Sequence, residues 1–191
     1  MNNSSQELEK IKILHEYSYT KTDLEYKKTV IYENTREFLI VAYKIAGKEM
    51  VEEKNAEIQL FTDIEQEYPK IEDKIEDTYI IQKCKKLYRE ISKRTHPDKD
   101  TQKLYTKIFI DATKSYEDFK LLDLFTVLEM LGIKYKIEEE DIALFKKEIQ
   151  INRNQIDSVE KTFIYVWSMQ PDETMKDIII RQFIKMMGDK M

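Results

Sequence analysis

The chain has 191 residues, of which 41% are apolar and 36% are charged. This composition excludes a disordered chain of low hydrophobicity and predicts a folded protein with a strongly charged surface. The formal net charge of −5 argues against general nucleic-acid binding, and the single cysteine, Cys84, excludes an intrachain disulfide.

The apolar segments and the cysteine content bear on where the protein acts. The first thirty residues carry no basic-then-apolar signal peptide. No apolar run reaches the roughly 18 residues that a membrane span needs. A lone cysteine also fits a reducing compartment. The sequence therefore predicts a cytoplasmic protein without membrane contacts.

Long helices are the default prediction for the N-terminal part, because glycine and proline are scarce, with three of each. Helical apolar spacing over residues 5–67 predicts two or three long helices, with breaks near Tyr19–Thr22 and at Gly47. The next helix is predicted from Asp77 or Thr78 to about Thr95. It ends there because a residue before proline, here His96, disfavours the helical conformation.

Helical spacing continues to the C-terminus, where strand signals are weak. The predicted helices cover residues 103–119, 121–131 with a stop at Gly132, 137–155, 158–169 before Pro171, and 172–187 with a stop at Gly188. The predicted fold class is therefore all-α, in three regions. These are an N-terminal helical region (1–70), a middle region (71–132, core 78–122) and a C-terminal helical bundle (133–191).

Residues 79–103 form a basic island in an acidic chain, with eight basic and three acidic residues and a net charge of +5. A helix here has an apolar back and a basic front. The back would hold Cys84, Leu87, Tyr88 and Ile91. A second apolar stripe follows the loop and consists of Phe109, Ala112, Tyr116 and Phe119. The two stripes predict an antiparallel helical hairpin with a short, stiff tip.

At these residues the chain resembles a known family. The stretch "CKKLYREISKRTHPDK" is similar to helix II and the signature loop of J-domain co-chaperones, and "FIDATKSYEDF" is similar to their helix III. The resemblance covers about residues 78–122. It implies a co-chaperone that is not an enzyme and needs no cofactor. Such a protein binds a DnaK-type chaperone of the heat-shock protein 70 class and stimulates its ATP hydrolysis.

The resemblance also implies residue roles. The basic front of the helix would meet an acidic chaperone surface, and the His-Pro-Asp loop would engage near the junction of the chaperone's domains. The implied partner-binding residues are Lys85, Lys86, Arg89, Lys93, His96, Pro97, Asp98 and Lys99. The flanking helices would then target a client or an assembly partner.

One element of the family pattern is missing. A short helix I with a Tyr-x-x-Leu-Gly pattern usually precedes helix II, whereas here Tyr68 is followed by proline. Either helix I has diverged strongly, or an N-terminal helix fills its place.

Other functions of the His-Pro-Asp segment have less support from the residues. Catalysis by His96 and Asp98 lacks a recognisable nucleophile-base set, and His15, His96 and Cys84 lack the spacing of zinc ligands. The basic residues, Arg94 included, lack the interleaved aromatic residues of a nucleic-acid platform.

The remaining alternative is a structural helical protein with a repurposed J-like docking hairpin. The bias toward Ile, Lys, Glu and Tyr is similar to that of J-domain proteins of large DNA viruses and of some protists. This similarity would place the chain in the host cytoplasm or in the virion.

Overall fold

The computed structural model describes residues 3–48, 78–98 and 105–188, which form helices joined by turns and loops, without strands. The prediction of an all-α fold is therefore confirmed for this part of the chain. The helices are α1 (Asn3–Ala46), α2 (Thr78–Thr95), α3 (Thr106–Glu117), α4 (Leu121–Met130), α5 (Glu139–Glu160), α6 (Phe163–Ser168) and α7 (Glu173–Met187). The predicted helices between Gly47 and Asp77 lie outside the described residues.

The predicted break near Tyr19–Thr22 is wrong, because α1 runs through these residues without interruption. The apolar periodicity falters here since a polar residue, Thr20, occupies an inward position and is only 4% exposed. Its hydroxyl accepts a long hydrogen bond of 3.4 Å from the Asn152 amide. A buried threonine with a polar partner therefore continues the helix where the sequence pattern indicated a break.

The helix predicted over residues 158–169 is also wrong as a single element. Helix α5 continues to Glu160, and α6 starts only at Phe163. Thr162 between them is extended, and its side chain accepts a hydrogen bond from the Tyr165 N–H. Threonine at this position caps the new helix by satisfying one of its free N–H groups.

The described residues fall into two compact units. The first holds residues 3–18, 78–98 and 105–149, and the second holds 19–48 and 150–188. Both units combine segments that are far apart in the sequence, because α1 and α5 are each divided between them. The three consecutive regions proposed from the sequence remain a prediction about domain organisation.

Helices α2, α3 and α4 pack against one another in the first unit. Their fully buried apolar side chains are Cys84, Ile91, Ala112, Leu124, Phe125 and Leu128. Tyr88 of α2 stacks on Tyr116 of α3 at 4.6 Å between ring centroids, and His96 meets Phe109 at 5.5 Å. Later residues of α2 thus pair with earlier residues of α3, so the two helices run antiparallel.

The turn from α3 to α4 keeps these helices close. The Lys120 N–H bonds the Ser115 carbonyl and the Phe119 N–H bonds the Tyr116 carbonyl, as in a Schellman motif. Phe119 occupies the left-handed position of this motif with φ 52°, where glycine is usual. Its ring packs against the core of the first unit, and this contact offsets the backbone cost. Gly132 fills the matching position after α4.

The N-terminal part of α1 shares the core of the first unit with α2, α3 and α4. Tyr17 is 7% exposed, its hydroxyl donates to Asp123 of α4 at 2.8 Å, and its ring meets Phe145 of α5 edge-on at 5.5 Å. Ser18 and Thr126 hydroxyls lie 3.3 Å apart. These contacts attach the start of the chain to α4 and α5.

The second unit has a separate aromatic core. Phe38 of α1 is fully buried and meets Trp167 of α6 and Phe183 of α7 edge-on, at 5.6 and 4.9 Å between centroids. Edge-to-face pairs of this kind add about 0.5–1.5 kcal/mol each beyond the buried area. Among the described helices, none combines the length and the hydropathy that crossing a membrane requires.

Candidate docking site

The solvent-facing side of α2 carries a row of cations. Lys85, Lys86, Arg89 and Lys93 follow one another at spacings of one, three and four residues and are all exposed. They line a shallow groove on this helix, which we call the α2 groove. Its lining residues are Gln82, Lys85, Lys86, Tyr88, Arg89, Glu90, Ser92, Lys93 and His96. The four predicted helix contacts thus lie together on one surface.

The cations of the α2 groove differ in how they are paired. Lys93 forms an ion pair with Glu90 at 2.6 Å, in which the two side chains are 66% and 46% exposed. Lys85, Lys86 and Arg89 form no ion pair with any residue that the structure describes. Their charges are therefore available to an acidic partner without loss of an internal contact.

The His-Pro-Asp segment forms an exposed turn at the end of this groove. The His96 N–H still bonds the Ser92 carbonyl at 3.0 Å, which extends the helical pattern by one residue. Pro97 has no N–H to continue it. The Asp98 N–H donates to His96 Nδ1 at 3.3 Å, and the Asp98 side chain is 88% exposed. Lys99, the remaining predicted contact, lies outside the described residues.

The imidazole of His96 is held from two sides. Phe109 of α3 packs edge-on against the ring, and the backbone of Asp98 donates to Nδ1. Since Nδ1 accepts this hydrogen bond, a neutral ring carries its proton on Nε2. The ring therefore offers a donor nitrogen to a partner from a side chain that is 45% exposed.

Lys83 belongs to the basic island but faces inward. Its ammonium contacts Asp141 at 2.5 Å and Glu138 at 2.8 Å, and its side chain is 10% exposed. Burial alone lowers the pKa of Lys83, but hydrogen bonds with Asp141, Glu138 and Tyr79 outweigh it and raise the pKa above 10.5. Lys83 therefore attaches α2 to the start of α5. Sequence reasoning missed this role, although Lys83 directly precedes the buried Cys84.

The carboxylate of Asp141 in this cluster is held in place by further hydrogen bonds. Asp141 is fully buried and accepts the Glu138 N–H at 2.7 Å at the start of α5. Burial raises the pKa of Tyr79 to about 12, and its hydroxyl donates to Asp141 at 2.8 Å. A hydrogen bond from Lys83 lowers the pKa of Glu138, whose side chain is 40% exposed. The cluster is a structural connection between two helices.

Arg94 also has a structural contact. Its Nη1 donates to the Leu131 carbonyl at 2.6 Å, at the C-terminal end of α4. This carbonyl has no helical partner of its own, and a cation there also complements the helix dipole. Arg94 does not line the α2 groove.

Cys84 is expected to resist alkylation in the folded protein. Burial raises the pKa of its thiol to about 11, and the side chain is fully buried, so both the thiolate population and access are reduced. Iodoacetamide labelling at pH 8, followed by mass spectrometry, should be at least about 100-fold slower than in denaturant. Equal rates in both conditions would contradict this packing.

The structure also shows how the candidate metal ligands are distributed in the described residues. In residues 3–48, 78–98 and 105–188, no group of three or more His, Cys, Asp and Glu side chains could hold a metal ion. Cys84 lies in the core, whereas the His96 side chain is 45% exposed.

Comparison of the chain with protein-family models, with curated proteins and with solved structures gives no match.

Proposed function

We propose that this protein is a J-domain co-chaperone that binds a DnaK-type chaperone of the heat-shock protein 70 class and stimulates its ATP hydrolysis. One observation carries the proposal. The accessible cations Lys85, Lys86 and Arg89 lead directly to the exposed His96-Pro97-Asp98 turn, on one side of an antiparallel hairpin. Remaining helices of the chain would target a client or an assembly.

The charges of this surface support docking on an acidic protein. Complementary charge accelerates encounter and sets orientation more than it adds affinity. Pro97 restricts its backbone before binding, and Asp98 offers a carboxylate to an arginine or to backbone donors of the partner. No group of this protein takes part in the hydrolysis itself. The co-chaperone would act by binding one conformational state of its partner more tightly than another.

The N-terminal part of α1 supports the proposal where the family pattern is incomplete. A helix carrying Leu14 and Tyr17 contributes to the same core as the hairpin. We infer that this helix takes the structural place of the missing helix I. Its contacts with α4 and α5, through Asp123 and Phe145, would then hold the first unit together.

The proposal is tested by single-turnover ATP hydrolysis of a DnaK-type chaperone with and without this protein. Stimulation that saturates with protein concentration is the expected result. Absence of stimulation, together with stable incorporation into a larger assembly, would favour the structural or virion-associated alternative. Work with the full chain is required because the first unit takes residues from separate parts of the sequence.

Charge reversal in the α2 groove should weaken binding. A Lys86→Glu/Arg89→Glu variant replaces two cations that have no ion pair within the described residues. The concentration for half-maximal stimulation should therefore rise about 10-fold or more at low salt. The difference should shrink as salt screens the charges.

The matched control is Lys107→Glu/Lys146→Glu, which changes the net charge equally at exposed positions outside the groove. An equal loss in both variants would mean that only net charge matters and would contradict docking at this groove.

A further inference from the structure

Glu90 interrupts the row of cations in the α2 groove. It follows Arg89 directly, lines the same groove, and is 46% exposed. Its only ion pair within the described residues is with Lys93, at 2.6 Å. The order of charges along this face is therefore three cations, one carboxylate and one cation.

A carboxylate at this position changes which partner the surface fits. A polyanion laid along the groove would bring negative charge against Glu90, and such like-charge contacts are costly. A protein surface can instead offer a cation at this point and acids at the others. Exchanging the internal pair for an intermolecular one costs little, because exposed ion pairs contribute only about 0–1 kcal/mol.

We propose that Glu90 is a specificity-determining residue of the docking site. It selects a protein partner whose acidic surface contains a cation opposite Glu90, and it disfavours uniform polyanions such as single-stranded nucleic acid. This inference rests on the proposed function and specifies the chemistry of the partner. It follows the general rule that discrimination combines an attractive contact with a repulsive element against competitors.

The test compares Glu90→Gln with the wild type in two measurements. One is the concentration for half-maximal ATPase stimulation of the chaperone, and the other is the Kd for a single-stranded oligonucleotide at low salt. We expect the half-maximal concentration to rise about 5-fold, because the partner's cation loses its carboxylate, and the oligonucleotide Kd to fall about 5-fold. The two quantities should thus move in opposite directions. Removal of one negative charge by itself would lower both of them.

Two further variants separate this role from simpler effects. Glu117→Gln removes the same charge from an exposed site outside the groove and should change neither measurement by more than about 2-fold. In a Lys93→Met background, Glu90→Gln should still raise the half-maximal concentration. Loss of the effect there would mean that Glu90 only orients Lys93, which overturns the inference.

The remaining outcomes are also decisive. A lower half-maximal concentration for Glu90→Gln would show that the carboxylate merely weakens attraction, and this overturns the inference while the proposed function stands. Unchanged values in both measurements overturn it as well. No stimulation by the wild type at any concentration overturns the proposed function and, with it, this inference.

Discussion

Replacement of His96 by glutamine is expected to lower stimulation of the chaperone by about 10-fold or more, as for a truncated hot-spot residue. Glutamine keeps polar groups at this position but loses the ring that packs edge-on against Phe109. It also loses the Nδ1 acceptor that orients the Asp98 backbone. The turn would remain on the surface, but the side-chain N–H donor at position 96 would no longer be held in one direction.

Single-turnover hydrolysis measures this effect, and thermal unfolding checks that the variant is folded. The matched control is His15→Gln, because His15 is the other histidine of the chain and has a side chain that is 65% exposed. This control should stimulate like the wild type. Stimulation by the His96→Gln variant equal to that of the wild type would contradict the co-chaperone proposal.

Replacement of Asp141 by alanine is expected to lower the free energy of unfolding of the first unit by about 3 kcal/mol. Removal of one partner from a buried ion pair typically costs about 3–5 kcal/mol, because the other charge is left in a poor environment. Among the described residues, the ammonium of Lys83 would then keep Glu138 and Tyr79 as its hydrogen-bond partners. The Glu138 N–H would also lose its acceptor at the start of α5.

Chemical denaturation followed by helicity measures this loss. A Lys83→Met/Asp141→Leu variant, which removes both charges, should recover most of the stability, because an apolar pair needs no desolvated charge. Glu138→Gln is the control, because this partner of Lys83 is 40% exposed rather than buried, and it should have a much smaller effect. A variant of Asp141 that unfolds like the wild type would contradict the importance of this cluster.

The Lys83 cluster also has a defined pH dependence. Because the pKa of Lys83 is raised in the folded protein, its contribution is fully present below its ordinary pKa of 10.5. The contribution is lost as the pH rises above that value through the folded-state pKa. The wild type should therefore lose stability at alkaline pH more steeply than the Lys83→Met/Asp141→Leu variant.

Several elements could be predicted because their signals are local. The end of α2 at His96-Pro97 follows from the restriction that proline imposes on the preceding residue, and Gly132 marks the end of α4 through its left-handed conformation. The inward face of α2 follows from the spacing of Cys84, Leu87 and Ile91, all of which are buried.

Other elements could not be predicted because they depend on distant partners. Thr20 falls in a polar stretch that suggested a break, yet a buried contact with Asn152 keeps α1 continuous. Lys83 and Arg94 have the same charge as Lys86, but only the positions of Asp141 and the Leu131 carbonyl show that these two cations make structural contacts.

The sequence by itself therefore determined the helical class, the limits of the basic helix and the presence of a charged face next to His-Pro-Asp. These properties depend on residues within a few turns of one another. Only the tertiary structure decided which cations remain accessible and which helix completes the core around the hairpin. Both depend on contacts between residues more than thirty positions apart in the sequence, and no local pattern indicates that such residues are close in space.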